Sequence, residues 1–213
     1  MLNTSEHHLG GYMFGGDPLT FYPKLFTWIV KTFSVRSVLD VGCAEGHSAE
    51  YFKSLGCDVL GVEGSPMAIR DSKIPENITQ HDFCTGAHKT KKTYEMVWSC
   101  EFVEHVEEKY MQNFLESFKS AEKYIFMTHA TPGQVGHHHV NCKPKEYWIK
   151  VVSNLGFRFC PVITRMAKTR ATGHFKRTGL VFINNNHNIS LKNKLKLGSS
   201  FFIDKLKNIL KIG

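Results

Sequence analysis

Val38-Leu39-Asp40-Val41-Gly42-Cys43-Ala44-Glu45-Gly46 is the stretch that decides the fold. It opens as a short apolar run rich in β-branched residues, which is a strand signal, and closes as a tight turn of small residues. A helical pattern follows, with Ala49, Phe52 and Leu55 on one face, and it ends at Gly56. A strand that passes through a glycine turn into a helix is the opening of a βαβ unit.

The chain repeats that alternation on both sides. Before it, Phe21 to Phe33 reads as an apolar helix. After it, strands are expected at 58–63, 77–81, 94–99 and 124–128. Helices are expected from Ser65-Pro66, over about 104–119 (with Tyr110, Phe114, Leu115 and Phe118 as its face), and over 145–155 before Gly156. Residues 157–164 and 180–184 read as two closing strands, with a basic loop from Lys168 to Arg177 between them. Strands alternating with helices predict an α/β fold, a parallel sheet covered on both faces. The 213 residues suffice for one domain with a sizeable core. That domain is expected over 1–189, with 1–34 as an N-terminal arm and helix and 190–213 as a tail.

In open α/β sheets, ligands bind outside the carboxyl ends of the strands. Three acids stand at such ends: Asp40 before the glycine turn, Glu63 after the second strand and Asp82 after the third. A carboxylate at Glu63 can accept both hydroxyls of a ribose, one at Asp82 an exocyclic adenine amine, and Asp40 lies where a cationic amino-acid end would sit. A dinucleotide loop would need Gly-x-Gly-x-x-Gly, and a triphosphate loop Gly-Lys-Ser/Thr. Neither is present here.

The stretch resembles motif I of class I S-adenosylmethionine-dependent methyltransferases, and the resemblance runs from about Arg36 to Asn184. It includes Glu63, the Asp82-Phe83 pair and the region Trp98-Ser99-Cys100-Glu101. The resemblance implies a Rossmann-like, seven-stranded, mostly parallel sheet whose last strand is antiparallel. It implies S-adenosyl-L-methionine as cofactor, with Asp40 and the backbone of Gly42, Cys43, Ala44 and Gly46 at the methionine part. Glu63 and Gly64 would hold the ribose, Asp82 and Phe83 the adenine, and Ser99, Cys100 and Glu101 would lie beside it. Ala44 stands where many members have glycine.

Just after the fourth strand comes Glu101-Phe102-Val103-Glu104-His105-Val106. If helical, this spacing puts Glu101, Glu104 and His105 on one face. With His139 from the later run His137-His138-His139, they could hold a divalent cation. This looks like the metal-dependent small-RNA 2′-O-methyltransferases, which carry a similar Glu-x-x-Glu-His element and a later histidine. It looks equally like metal-free small-molecule methyltransferases, and that reading is preferred. Glu104 would then support a helix start, and His105 or His139 would act as general base, since histidine titrates near neutral pH.

The glycine pairs Gly10-Gly11 and Gly15-Gly16 make the N-terminal arm a hinged lid or a plain packing loop. The net charge of +8 is concentrated in the tail, where six lysines against Asp204 leave +5. The tail reads as a basic amphipathic helix for packing, a partner or an anionic membrane surface. No Cys-x-x-Cys pair, secretory signal or membrane span is read from the sequence, so an intracellular, cytoplasmic protein is expected. The expected function is O-methylation of a small hydroxyl-bearing acceptor such as a sugar. A metal-assisted RNA ribose 2′-O-methyltransferase is the alternative, and a catalytically silent cofactor-binding module a further one.

Overall fold

The computed structural model describes residues 7–9 and 11–190, with the isolated positions 193 and 198. Its elements in chain order are α1 (Pro23–Phe33), β1 (Ser37–Val41), α2 (His47–Ser54), β2 (Asp58–Glu63), α3 (Pro66–Asp71), β3 (Ile78–Gln80) and β4 (Tyr94–Ser99). They continue with α4 (Met111–Phe118), β5 (Ala121–Met127), α5 (Lys145–Ser153), β6 (Phe157–Phe159), α6 (Pro161–Lys168), α7 (Gly173–Thr178) and β7 (Leu180–Asn184).

Seven strands form one sheet in the order β3-β2-β1-β4-β5-β7-β6. The strands from β3 to β5 pair in parallel, and β7 runs antiparallel between β5 and β6. This is the expected Rossmann-like sheet, antiparallel last strand included. Strand order reverses between β1 and β4, so the crevice at their carboxyl ends is the natural ligand site.

The apolar runs are continuous because both faces of the sheet are covered. Val38, Trp98 and Phe126 pack on one face with Leu25, Phe26 and Ile29 of α1 and Phe52 of α2. Their neighbours Leu39, Val97 and Ile125 pack on the other, with Phe114 and Phe118 of α4 and Trp148 of α5.

Three expected elements differ. The helix over 104–119 is replaced by turns, a 3-10 turn over Glu108–Tyr110 and the shorter α4. The Glu104 carbonyl, which a helix would offer to the amide four residues on, instead accepts from the amides of Val140 and Asn141 at 2.9 and 3.0 Å. Glu101 also adopts φ +52°, outside helical space. The strand over 157–164 stops at Phe159, because Pro161 lacks an N–H for the ladder and suits a first helical turn. The β-branched Val162, Ile163 and Thr164 gave the strand signal, yet with Ala167 they form the buried face of α6. The basic loop 168–177 ends in α7, whose Phe175 stacks on Trp98 at 5.3 Å between centroids.

No helix of the described residues is long and apolar enough to cross a membrane. The expected amphipathic helix of the tail lies outside the described residues. None of the six cysteines forms a disulfide; Cys43, Cys57 and Cys160 are buried, the others half-buried.

Candidate active site

The turn after β1 is shaped by what surrounds it. Gly42 sits at φ +74°, and a Cβ there would stand 2.2 Å from the Phe102 ring, so only glycine fits. Ala44 also takes a positive φ, +48°. Its amide donates to Glu63 Oε2 at 2.8 Å, while Glu63 Oε1 accepts from the Ser65 amide at 2.9 Å. The carboxylate ending β2 thus anchors the strained turn after β1.

Below this turn lies a cavity of about 280 Å³. Asp40, Gly42, Cys43, Ala44, Glu63, Cys100 and Glu101 all line it, as does His105. Asp40 is 2 % exposed and its Oδ2 has no hydrogen-bond partner. Burial, then the charge of Glu63, pushes its carboxyl up to about 8. A buried carboxylate oxygen in this state is completed by a cation.

The arm closes the cavity from outside. Gly15 donates its amide to both oxygens of Glu45 at 3.0 Å, and Glu45 also holds His47 at 2.7 Å. Tyr12 donates to Asp71 at 2.6 Å. On the other side, His174 of α7 places Nδ1 2.8 Å from Glu101 Oε2 and Nε2 3.5 Å from Asp17. Thr128 donates to Glu101 Oε1 at 2.8 Å. Burial raises the Glu101 carboxyl, but His174, Thr128 and His105 together outweigh it, and the net position lies below the usual range.

Gly64, Asp82 and Phe83 line a small neighbouring cavity of about 30 Å³. Leu9 of the arm fills this patch, 2.6 Å from where a Gly64 Cβ would be, and His8 lies 3.1 Å from Asp82. Gly46 and Ser99 line neither cavity. Gly46 precedes α2 at φ +77°, and the Ser99 hydroxyl donates to the Val41 carbonyl at 2.9 Å, tying β4 to β1.

The second cluster joins the turn after β4 to the loop after β5. Glu104, His105 and His139 bring ligand atoms within 4.8 Å of one another. Glu104 is fully buried, with neither carboxylate oxygen hydrogen-bonded, and burial followed by Glu101 pushes it up to about 8. His105 hydrogen-bonds to the His138 backbone and leaves a buried Nδ1 without a partner; burial, then His139, lowers it to about 4. His139 Nδ1 faces the Gln134 carbonyl at 3.2 Å, and its ring needs Gly136, where a Cβ would lie 2.2 Å away. Glu101 is not part of the trio, because Thr128 and His174 hold both its oxygens.

A family model described as a methyltransferase domain matches residues 14–159. The chain belongs to that family. It is an S-adenosylmethionine-dependent methyltransferase. Among solved structures it resembles the magnesium protoporphyrin IX methyltransferase ChlM of Synechocystis PCC 6803 with bound SAM, at 15 % identity and TM-score 0.56 over 75 % of this chain and 76 % of that one. It also resembles the sugar N-methyltransferase KedS8 of Streptoalloteichus sp ATCC 53650, at 12 % identity and TM-score 0.60 over 81 % and 90 %. The methyltransferase domain of bacterial CtHen1-C gives 18 % identity and TM-score 0.54 over 76 % and 97 %. No curated protein matches at the sequence level.

The residues of this methyltransferase fit its cofactor on the evidence of Asp40, whose unpartnered Oδ2 suits the cationic end of S-adenosylmethionine. Sequence reasoning missed Glu45, His47, Asp17 and His174. Glu45 stood in the decisive stretch and His47 just after it, an acid and a histidine legible together at a helix start. No local signal marks His174, which α7 delivers from 73 positions beyond Glu101.

Proposed function

We propose that this methyltransferase acts on a hydroxyl of a small acceptor such as a sugar, with a divalent cation held by Glu104, His105 and His139. What supports this reading is a fully buried carboxylate with no hydrogen bond beside two imidazoles. An orphaned buried acid is costly unless something completes it. Two nitrogens and a carboxylate suit a borderline divalent ion, and the His105 and His139 contacts to backbone carbonyls orient their rings as ligands.

S-Adenosylmethionine supplies an already activated methyl group, so the protein's task is positioning. Asp40 holds the cationic end, Glu63 the ribose, and the arm with Glu45 excludes water. Asp82 and Phe83 serve the adenine once Leu9 withdraws. Glu104, His105 and His139 would hold the cation, which would supply Lewis acidity toward the acceptor hydroxyl. His105 at about 4 is too weak a base for neutral pH, so in this reading it is a ligand and not the base expected from the sequence.

The test is turnover on a panel of hydroxyl acceptors, read as S-adenosylhomocysteine released, before and after chelation. Activity lost on chelation and restored by manganese or zinc is expected. Full activity in the chelated enzyme overturns the metal and returns the site to a metal-free pocket. An RNA end, with two neighbouring ribose hydroxyls, is the second reading, favoured by the basic groove described below. RNA turnover would fall steeply between low and moderate salt, whereas that of a neutral sugar would not. We take residues 1–189 as the catalytic domain and, from six cysteines without a disulfide, the cytoplasm as its place of action.

A further inference from the structure

A separate cavity of about 500 Å³ opens where α5, β6, α6 and α7 meet. Lys145, Arg165, Lys168 and Lys176 line it, and among the described residues no carboxylate does. Some other lysines sit on acids, as in Lys53–Glu76, Lys119–Glu116 and Lys143–Glu108, while among the described residues Lys24, Lys73 and Lys150 stand singly outside the groove. Lys145, Lys168 and Lys176 make no such pair among the described residues. The half-buried Lys168 is fixed by its ammonium donating to the Arg177 carbonyl at 2.9 Å. Burial, then the like charge of Lys145, lowers its pKa. Lys145 stands 4.9 Å over the Phe159 ring, which gives the groove one flat apolar wall. Lys145 and Pro161 are the first residues of α5 and α6, so two positive helix ends add to the field.

Three lysines gathered without a counter-charge among the described residues cost stability, and an anionic ligand offsets that cost. A single carboxylate would leave most of the charge of Lys145, Lys168 and Lys176 uncompensated, whereas a phosphate ester carries more charge and more acceptor oxygens. The groove also lies close to the reaction. His174 on α7 faces the active cavity and Lys176, two residues on, faces the groove, so one helix separates them.

We propose that this groove binds a phosphate-bearing group, and that the methyl acceptor carries it. The second clause rests on the hydroxyl-acceptor reading above; the first does not. The phosphate belongs either to a small phosphorylated sugar or to an RNA backbone.

The test is calorimetric titration of the full chain with inorganic phosphate, with ribose 5-phosphate and with a short single-stranded RNA. The same titrations are run on a Lys145→Ala/Lys176→Ala variant, which changes exposed side chains only, and on Lys168→Ala. S-Adenosylmethionine affinity in every sample reports the fold. Binding of a phosphate probe that weakens roughly tenfold or more in both variants, with cofactor affinity unchanged, is the expected result. Tight RNA binding whose salt slope drops by roughly 2 in the double variant assigns the phosphate to RNA. Ribose 5-phosphate binding without RNA binding assigns it to a small ester. No binding of any probe by the wild type at about 10 mM, or equal binding by the variants, overturns the proposal. If phosphate binds but no hydroxyl acceptor is methylated, the reading under Proposed function falls and the groove stands.

Discussion

Glu104→Gln separates a cation ligand from a buried acid, because the two roles move stability in opposite directions. In the metal-free protein, burial and Glu101 raise this carboxyl from 4.5 to about 8. At pH 7 the unfolded chain has it ionised, and the native chain keeps it largely protonated. Folding therefore takes up about one proton, and stability falls as pH rises from about 4.5 to 8. The cost at pH 7 is about 3 kcal/mol at 1.36 kcal/mol per pH unit. Glutamine is isosteric and never ionises, so the variant is expected to gain up to about 3 kcal/mol, roughly 6–12 °C in Tm for a chain of this size. Added metal should reverse the order. Losing one partner of a buried charge pair costs about 3–5 kcal/mol, so the variant should bind manganese at least roughly 100-fold more weakly. Thermal unfolding with and without metal, beside a calorimetric metal titration, reads both effects. A variant that binds manganese as tightly as the wild type, or a wild type that metal does not stabilise, refutes the reasoning.

Three more perturbations test other parts. Asp40 is pushed up to about 8, so near pH 7 its proton should be displaced when the cationic cofactor binds. Calorimetry in buffers of different ionisation enthalpy should find about one proton released per S-adenosylmethionine, and none for Asp40→Asn, which should bind it at least roughly tenfold more weakly. Gly42→Ala drives a Cβ into Phe102 at a left-handed φ, and a loss of roughly 1–3 kcal/mol with weakened cofactor binding is expected in denaturant melts. His174→Ala removes the group that holds Glu101 low against burial, so the acid limb of the pH–rate profile should move upward; an unmoved limb separates Glu101 from catalysis.

The sheet was legible because Val38–Val41 and its counterparts are buried on both faces, which writes them as unbroken apolar runs. The turn after β1 was legible because its small residues Gly42, Cys43, Ala44 and Gly46 stand together between an apolar run and a helical pattern. What failed depended on tertiary contacts. Residues 104–107 carry a helical pattern, but the Glu104 carbonyl is claimed by a loop some 36 positions away. Val162 and Ile163 look like strand until Pro161 is weighed. The site followed the same division. Asp40 and Glu63 end strands and announce themselves. Glu104, His105 and His139 were already grouped from the sequence; that Glu101 leaves them for His174 follows from loop packing that no spacing encodes.

The most direct test of the account is titration of the purified chain with S-adenosylmethionine and, separately, with NAD. Micromolar binding of S-adenosylmethionine, lost in Asp40→Asn and unmatched by NAD, is the predicted result. Failure to bind it, or tighter binding of NAD, would contradict the cofactor site assigned to Asp40, Gly42 and Glu63.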